Sequence, residues 1–172
     1  MRGSNIPKAP SPRKGSGIVV EVSNRQHRRI IRKSIQKAVR SALSLGNWTI
    51  ADISVAVVDS WTMRQLNREY LQHDYATDVL SFSFLRNARQ RKLVGEIVVC
   101  AEVAAKLASR QKWKWHDELL LYVVHGALHL VGYNDKSAIQ QRRMRAAEQK
   151  ILAELGIKAL PGDLTMRSKE TL

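Results

Sequence analysis

The sequence predicts an α+β fold, a small mixed four-stranded sheet surrounded by helices with one helix buried at the centre. Three observations carry that prediction. Short segments of alternating polarity recur along the chain, helical-period segments separate and then follow them, and residues 118–131 are apolar on nearly every side. A helix that is hydrophobic all round belongs in the middle of a molecule.

Residues 1–17 hold Pro7, Pro10, Pro12, Gly15 and several cations with almost no apolar side chains. That is the composition of a disordered basic tail. The opening Met1-Arg2-Gly3-Ser4 has the form of a vector remnant and carries no weight in the fold. Ile18–Val22 reads as a strand. From Asn24 to Leu45, Ile31, Ile35, Ala38, Ala42 and Leu45 recur at helical spacing, with Ser23 or Asn24 as the cap and Gly46 as the stop. The opposite face carries Arg25, Arg28, Arg29, Arg32, Lys33, Lys37 and Arg40. A strand follows over Thr49–Val58, where Ile53, Val55 and Val57 alternate with small or polar residues. Ser60 then caps a short helix with Met63, Leu66 and Tyr70 on one face.

Asp78–Leu85 alternates again, with Leu80, Phe82 and Phe84 against Ser81 and Ser83. A basic turn (Arg86, Arg89, Arg91, Lys92) joins it to a strand over Leu93–Cys100, which suggests a hairpin. Helices close the chain over Ala101–Gln111, Asp117–Val131 and Ser137–Leu155, the last ending at Gly156. The expected organisation is one domain over residues 18–160, with a short C-terminal tail at 161–172.

Composition narrows the function. The 172 residues suit a single domain with a real core, and 44% hydrophobic with 26% charged residues is an ordinary globular balance. Twenty-nine Lys+Arg against 15 Asp+Glu leave a net charge of +14, a field that attracts nucleic acid or an anionic membrane surface. The plainer alternative is a solvated basic surface with no partner. Cys100 is the only cysteine, which excludes an intrachain disulfide and a cysteine metal cluster and fits a reducing cytoplasm. The apolar run Leu119–Val131 is broken by two histidines and falls short of the roughly 20 residues a membrane span needs. With no signal-peptide core at the N-terminus, the expectation is a soluble protein that is not secreted.

The two histidines are the chemical signal. His125 and His129 lie four apart, so on a helix they stand one turn above each other and their ring nitrogens can meet at one cation. A straight helix cannot bring a third residue of this segment to the same point. Gly132 can end the helix through a positive-φ cap, and Asp135 can then return towards the metal. Three protein ligands leave a coordination position open, as a catalytic zinc requires. The spacing His-x-x-x-His-x-x-Gly-x-x-Asp is that of the metzincin proteases. Their general base is a Glu directly after the first histidine, and here that residue is Gly126, so peptide hydrolysis lacks its proton acceptor. Two alternatives stay open: hydrogen-bonded core histidines, and Asp135 as the cap of the last helix. Cys100, His27 and His116 read as structural or exposed rather than as ligands.

The run His125-Gly126-Ala127-Leu128-His129-Leu130-Val131-Gly132-Tyr133-Asn134-Asp135 resembles the signature H-G-x-L-H-L-x-G-Y-D-H of the YbeY rRNA-maturation endoribonuclease family. Leu66-Asn67-Arg68-Glu69-Tyr70, Asp74 and Thr77-Asp78-Val79-Leu80-Ser81-Phe82 are similar to its block L-N-x-x-Y-R-x-x-D-x-P-T-D-V-L-S-F, and Gly95-Glu96-Ile97-Val98 to its G-D-I-x-I strand. The resemblance implies a zinc-dependent, single-strand endoribonuclease. Its substrate would be ribosomal RNA, at the 3′ end of the small-subunit RNA, and its setting maturation and ribosome quality control in the cytoplasm. The implied ligands are His125, His129 and Asp135. This chain departs from the family pattern at Asp135 for His, Asn134 for Asp, and Leu71 for an Arg that lines the cleft. Asp keeps a zinc ligand but adds negative charge, which makes bound water less acidic. Leu71 removes a bidentate phosphate contact, which Arg68 or His73 could replace.

Thr77, Asp78 and Ser81 are candidates to orient ligands or substrate, or are plain loop and hairpin structure. The basic face of the first helix and the turn at Arg86–Lys92 are the expected grip on the RNA backbone. A non-catalytic ribosome-assembly factor with the same fold and basic face is the competing reading.

Overall fold

The computed structural model describes residues 17–157. The expected tails lie outside them, Gly17 apart.

Four strands and five helices follow one another as β1 (Ile18–Asn24), α1 (Arg32–Leu45), β2 (Ile50–Val58), α2 (Ser60–Leu71), β3 (Val79–Asn87), β4 (Lys92–Cys100), α3 (Ala101–Arg110), α4 (Trp115–Val131) and α5 (Ala138–Glu154). The sheet order is β1-β2-β4-β3. β1 and β4 both run parallel to β2, and β3 runs antiparallel to β4 with a bulge between Ser83 and Leu85. The predicted α+β class, mixed sheet and hairpin are all present.

Strand alternation divides the sheet into two faces. Val20, Ile53, Val55, Val57, Leu93, Ile97 and Val99 join the main core with α1 and α4. Ala56, Val58, Val98 and Cys100 face the other way and meet Met63 and Leu66 of α2. α4 is the hub: twelve of its seventeen residues are buried, and α1, α3, α5 and the β3–β4 hairpin all pack against it. Tight packing of α4 on the sheet depends on two glycines. A Cβ on Gly126 would lie 2.9 Å from both Ile97 Cγ2 and Val79 Cγ2, and one on Gly95 would lie 3.0 Å from Leu130 Cδ1.

Several boundaries differ from the sequence expectations. α1 begins at Arg32, not Asn24, and neither Ser23 nor Asn24 caps it. Residues 25–31 form a loop because side-chain amides capture its backbone: Gln26 accepts from the Arg28 N–H at 2.7 Å, and Gln26 and Asn24 both donate to the Arg28 carbonyl. The cap of α2 is Asp59, which accepts from the Thr62 N–H at 2.8 Å, and Ser60 is the first helical residue. β3 runs on to Asn87 and α4 starts earlier, at Trp115. Gly46 does end α1, with negative φ, and Asn47 takes the left-handed conformation.

On the α2 side of the sheet, Glu96 is only 6% exposed. Burial raises its carboxyl above the ordinary glutamate range, and Arg25 partly offsets this. The folded chain therefore holds the Glu96 proton more tightly than the unfolded chain does. Its contribution to stability is fully present at acid pH and is lost as pH rises from the unfolded value through the raised folded value. Glu96→Gln keeps the shape without the charge. We expect it to raise Tm at neutral pH and to leave it unchanged well below the ordinary glutamate pKa of about 4.3, as read by thermal unfolding at the two pH values.

Candidate metal centre

α4 ends where its chemistry begins. Gly132 adopts φ 111°, the left-handed cap that its lack of a Cβ allows, and its N–H bonds back to the carbonyls of Leu128 and His129. Arg86 seals the turn: its Nη2 donates to the Val131 carbonyl at 3.2 Å and its guanidinium lies over the Trp48 ring. A Cβ on Gly132 would overlap that guanidinium. Arg86, expected among the cations of the basic turn, is thus committed to holding the end of α4.

Past the turn, Asp135 comes back to the histidines. Its Oδ2 lies 3.9 Å from His125 Nε2 and 3.8 Å from His129 Nε2, and the two Nε2 atoms are 3.0 Å apart. Ligands at 2.0–2.1 Å from a tetrahedral zinc stand about 3.3–3.4 Å from one another, so these separations bracket the requirement. Among the described residues, this trio is the group whose ligand atoms lie close enough together to hold a metal ion. The capping alternative for Asp135 does not hold. Ser137 caps α5 in a capping box, accepting from the Gln140 N–H while Gln140 accepts from the Ser137 N–H.

The hydrogen bonds fix which nitrogens face the centre. His125 Nδ1 lies 2.7 Å from Glu148 Oε1, and His129 Nδ1 lies 3.2 Å from the Tyr133 carbonyl. A carboxylate and a carbonyl only accept, so each Nδ1 is the donor and each neutral ring keeps a bare lone pair on Nε2. Two lone pairs and a carboxylate oxygen then converge with no donor among them. Such a set calls for a cation, or failing that a proton. Burial pulls His125 down, but the hydrogen bond and charge of Glu148, with Asp78 and Asp135, outweigh it and leave the ring above the usual imidazole value. Burial and the charge of His125 hold His129 below it.

The remaining candidates divide. Thr77 is buried and donates to Asp78 Oδ1 at 3.0 Å, Asp78 also accepts from the Val79 N–H, and the Asp78 charge acts on His125. Ser81 is half-buried on β3 opposite Ile97. Arg68 is exposed on α2, where its charge acts on Asp74. Neither has a hydrogen bond or ion pair to the histidine group among the described residues. Leu71 is 52% exposed at the end of α2, and His73 stacks on Tyr75. Outside the centre, His116 contacts the Arg29 carbonyl, His27 is exposed, and Cys100 is buried 3.6 Å from Ser60 Oγ with its thiol pushed up by burial. Glu148 was missed by the sequence reading. Its signal was an acidic residue on the apolar stripe of α5, between Met144, Ala147, Ile151 and Leu152.

The model of the family described as Endoribonuclease YbeY matches residues 19–156. The chain belongs to that family. A YbeY endoribonuclease of Carboxydothermus hydrogenoformans is 33% identical over 142 residues, 81% of this chain and 99% of the relative. One from Rhodopirellula baltica is 37% identical over 128 residues, 73% of this chain and 65% of the relative. The solution structure of TM1509 from Thermotoga maritima superposes with a TM-score of 0.58 at 21% identity, covering 89% of this chain and 95% of that one, and supports the fold. Packing accounts for Gly126 in steric terms. The position after the first histidine faces Ile97 and Val79, where the glutamate of a peptidase would have no room. Among the described residues no helix is long and apolar enough to cross a membrane.

The Gly132 turn is directly testable. Gly132→Ala places a Cβ at strained φ and against Arg86. It is expected to lower the unfolding free energy by about 1–3 kcal/mol, measured by urea denaturation.

Proposed function

We propose that this chain is a zinc-dependent endoribonuclease that cuts single-stranded RNA during ribosomal RNA maturation, at the 3′ end of the small-subunit RNA, and in ribosome quality control. The observation that carries the reading is the convergence of three ligand atoms, one each from His125, His129 and Asp135, within 4.8 Å of one another. Residues 18–160 act as one catalytic unit in the cytoplasm, with the ribosome and its small subunit as partners.

Two imidazoles and a carboxylate suit zinc, which when bound would polarise a phosphoryl oxygen and make its water much more acidic. The chain's own residues do the rest. The Tyr133 carbonyl accepts from His129 Nδ1, and Asn134 Oδ1 accepts from the Asp135 N–H at 2.9 Å and steadies the third ligand. Asp78, oriented by Thr77, faces His125 with its charge, and Ser81 on β3 is a substrate contact. The exposed Arg32, Lys33 and Arg40 of α1, with Arg89 and Arg91 of the hairpin turn, hold the RNA backbone. Arg68 supplies the phosphate contact that Leu71 cannot.

Leu71 favours a second reading, an RNA-binding assembly factor without cleavage. One assay separates the two. On a ribosomal RNA fragment, His125→Ala is expected to lower metal-dependent cleavage by more than about 100-fold, because several kcal/mol of charge stabilisation are lost. RNA binding, carried by phosphate contacts, stays unchanged and weakens with salt. Wild-type binding without metal-dependent cleavage would favour the assembly factor instead. Elemental analysis should find one zinc per wild-type chain and less in Asp135→Ala; equal content in both would remove Asp135 from the ligand set.

A further inference from the structure

We propose that Glu148 is a positioning residue for the metal centre: its buried carboxylate accepts a hydrogen bond from the Nδ1–H of His125 and so presents that ring's Nε2, bare and aimed, to the cation. The inference rests on the metal reading above and adds to it a residue from a different helix.

The case begins with the cost of the side chain's location. Glu148 is 5% exposed on the face of α5 that also buries Met144, Ala147, Ile151 and Leu152. An ionised carboxylate in such a place is strongly unfavourable unless it is paired and hydrogen-bonded. α5 offers Arg142, Arg143, Arg145 and Lys150 on its own surface, yet Glu148 has no ion pair to any of them among the described residues. Its partner there is His125, at 2.7 Å, the length of a charge-assisted hydrogen bond.

The choice has a chemical consequence. A neutral imidazole has one proton for two nitrogens, and whichever nitrogen keeps it cannot bind metal. By holding the proton on Nδ1, Glu148 makes Nε2 the metal-facing atom and also makes it more basic. His129 is held in the same sense by a neutral carbonyl at the longer distance of 3.2 Å, so His125 is the more firmly fixed ligand.

The test compares wild type with Glu148→Gln and Glu148→Ala. Zinc affinity is read by competition with a chromophoric chelator, the His125 tautomer by nitrogen NMR of the metal-free protein at alkaline pH, and folding by circular dichroism. Glu148→Ala is expected to weaken zinc binding by roughly 10–100-fold and to release His125 from the Nδ1-protonated form. Glu148→Gln, nearly isosteric and still able to accept through its carbonyl, should keep the tautomer and lose only part of the affinity. If Glu148→Ala fails to fold, a Glu148→Gln protein with wild-type zinc affinity would overturn the proposal. So would a folded Glu148→Ala protein with unchanged affinity and tautomer. A wild-type chain that binds no zinc would remove the metal reading itself, while the metal-free tautomer measurement would still decide whether Glu148 orients the ring.

Discussion

Both imidazoles of α4 donate their Nδ1–H to groups that can only accept, and both Nε2 atoms share one small volume with a carboxylate. Much of the architecture serves to hold that unfavourable meeting in place. The seating of α4 depends on Gly126, where the helix lies against Val79 and Ile97 with no room for a Cβ. The axial position of the turn is set by Gly132 under the Arg86 guanidinium, itself lying over Trp48. α5 closes the arrangement from outside. Packing places the three side chains, and the hydrogen bonds to Glu148 and the Tyr133 carbonyl decide which ring nitrogens face the centre.

This produces an electrostatic contrast. The chain carries +14 overall, yet Asp78, Asp135 and Glu148 gather around the histidines. A polyanion is drawn to the molecule as a whole and opposed at the centre until a cation compensates the carboxylates. The Asp135 that replaces the family's histidine deepens this contrast. Long-range attraction and local chemistry are thus under separate control, the first set by exposed Arg and Lys, the second by what occupies the centre.

The parts of this organisation that could be read from the sequence were those written in local periodicity. Alternation marked the strands, and the all-apolar stretch with two histidines four apart marked α4 as both central and chemical. Gly132 was legible as a turn because its lack of a Cβ has a specific conformational use. What escaped was information held by contacts distant in sequence. Cations and Ile31 continue the helical pattern back towards Asn24, but Gln26 and Asn24 bind the backbone around Arg28 and prevent the helix. Arg86 reads as one more basic turn residue until its partner, 45 positions on, is seen. Glu148 sits in a helix rich in charge, where one more acidic residue attracts no notice. The parallel pairing of β1 and β4 with β2 likewise has no local signature.

That parallel pairing has a kinetic cost. The central ladder joins Ile50 to Lys92 and Val58 to Cys100, so the surface that receives α4 exists only after a long stretch of chain has closed on itself. Loop-closure entropy must be met before these distant contacts repay it, and topologies of this kind fold more slowly than helical bundles of similar size. Until that closure, the α4 segment is a greasy, partnerless stretch at risk of clumping with its neighbours.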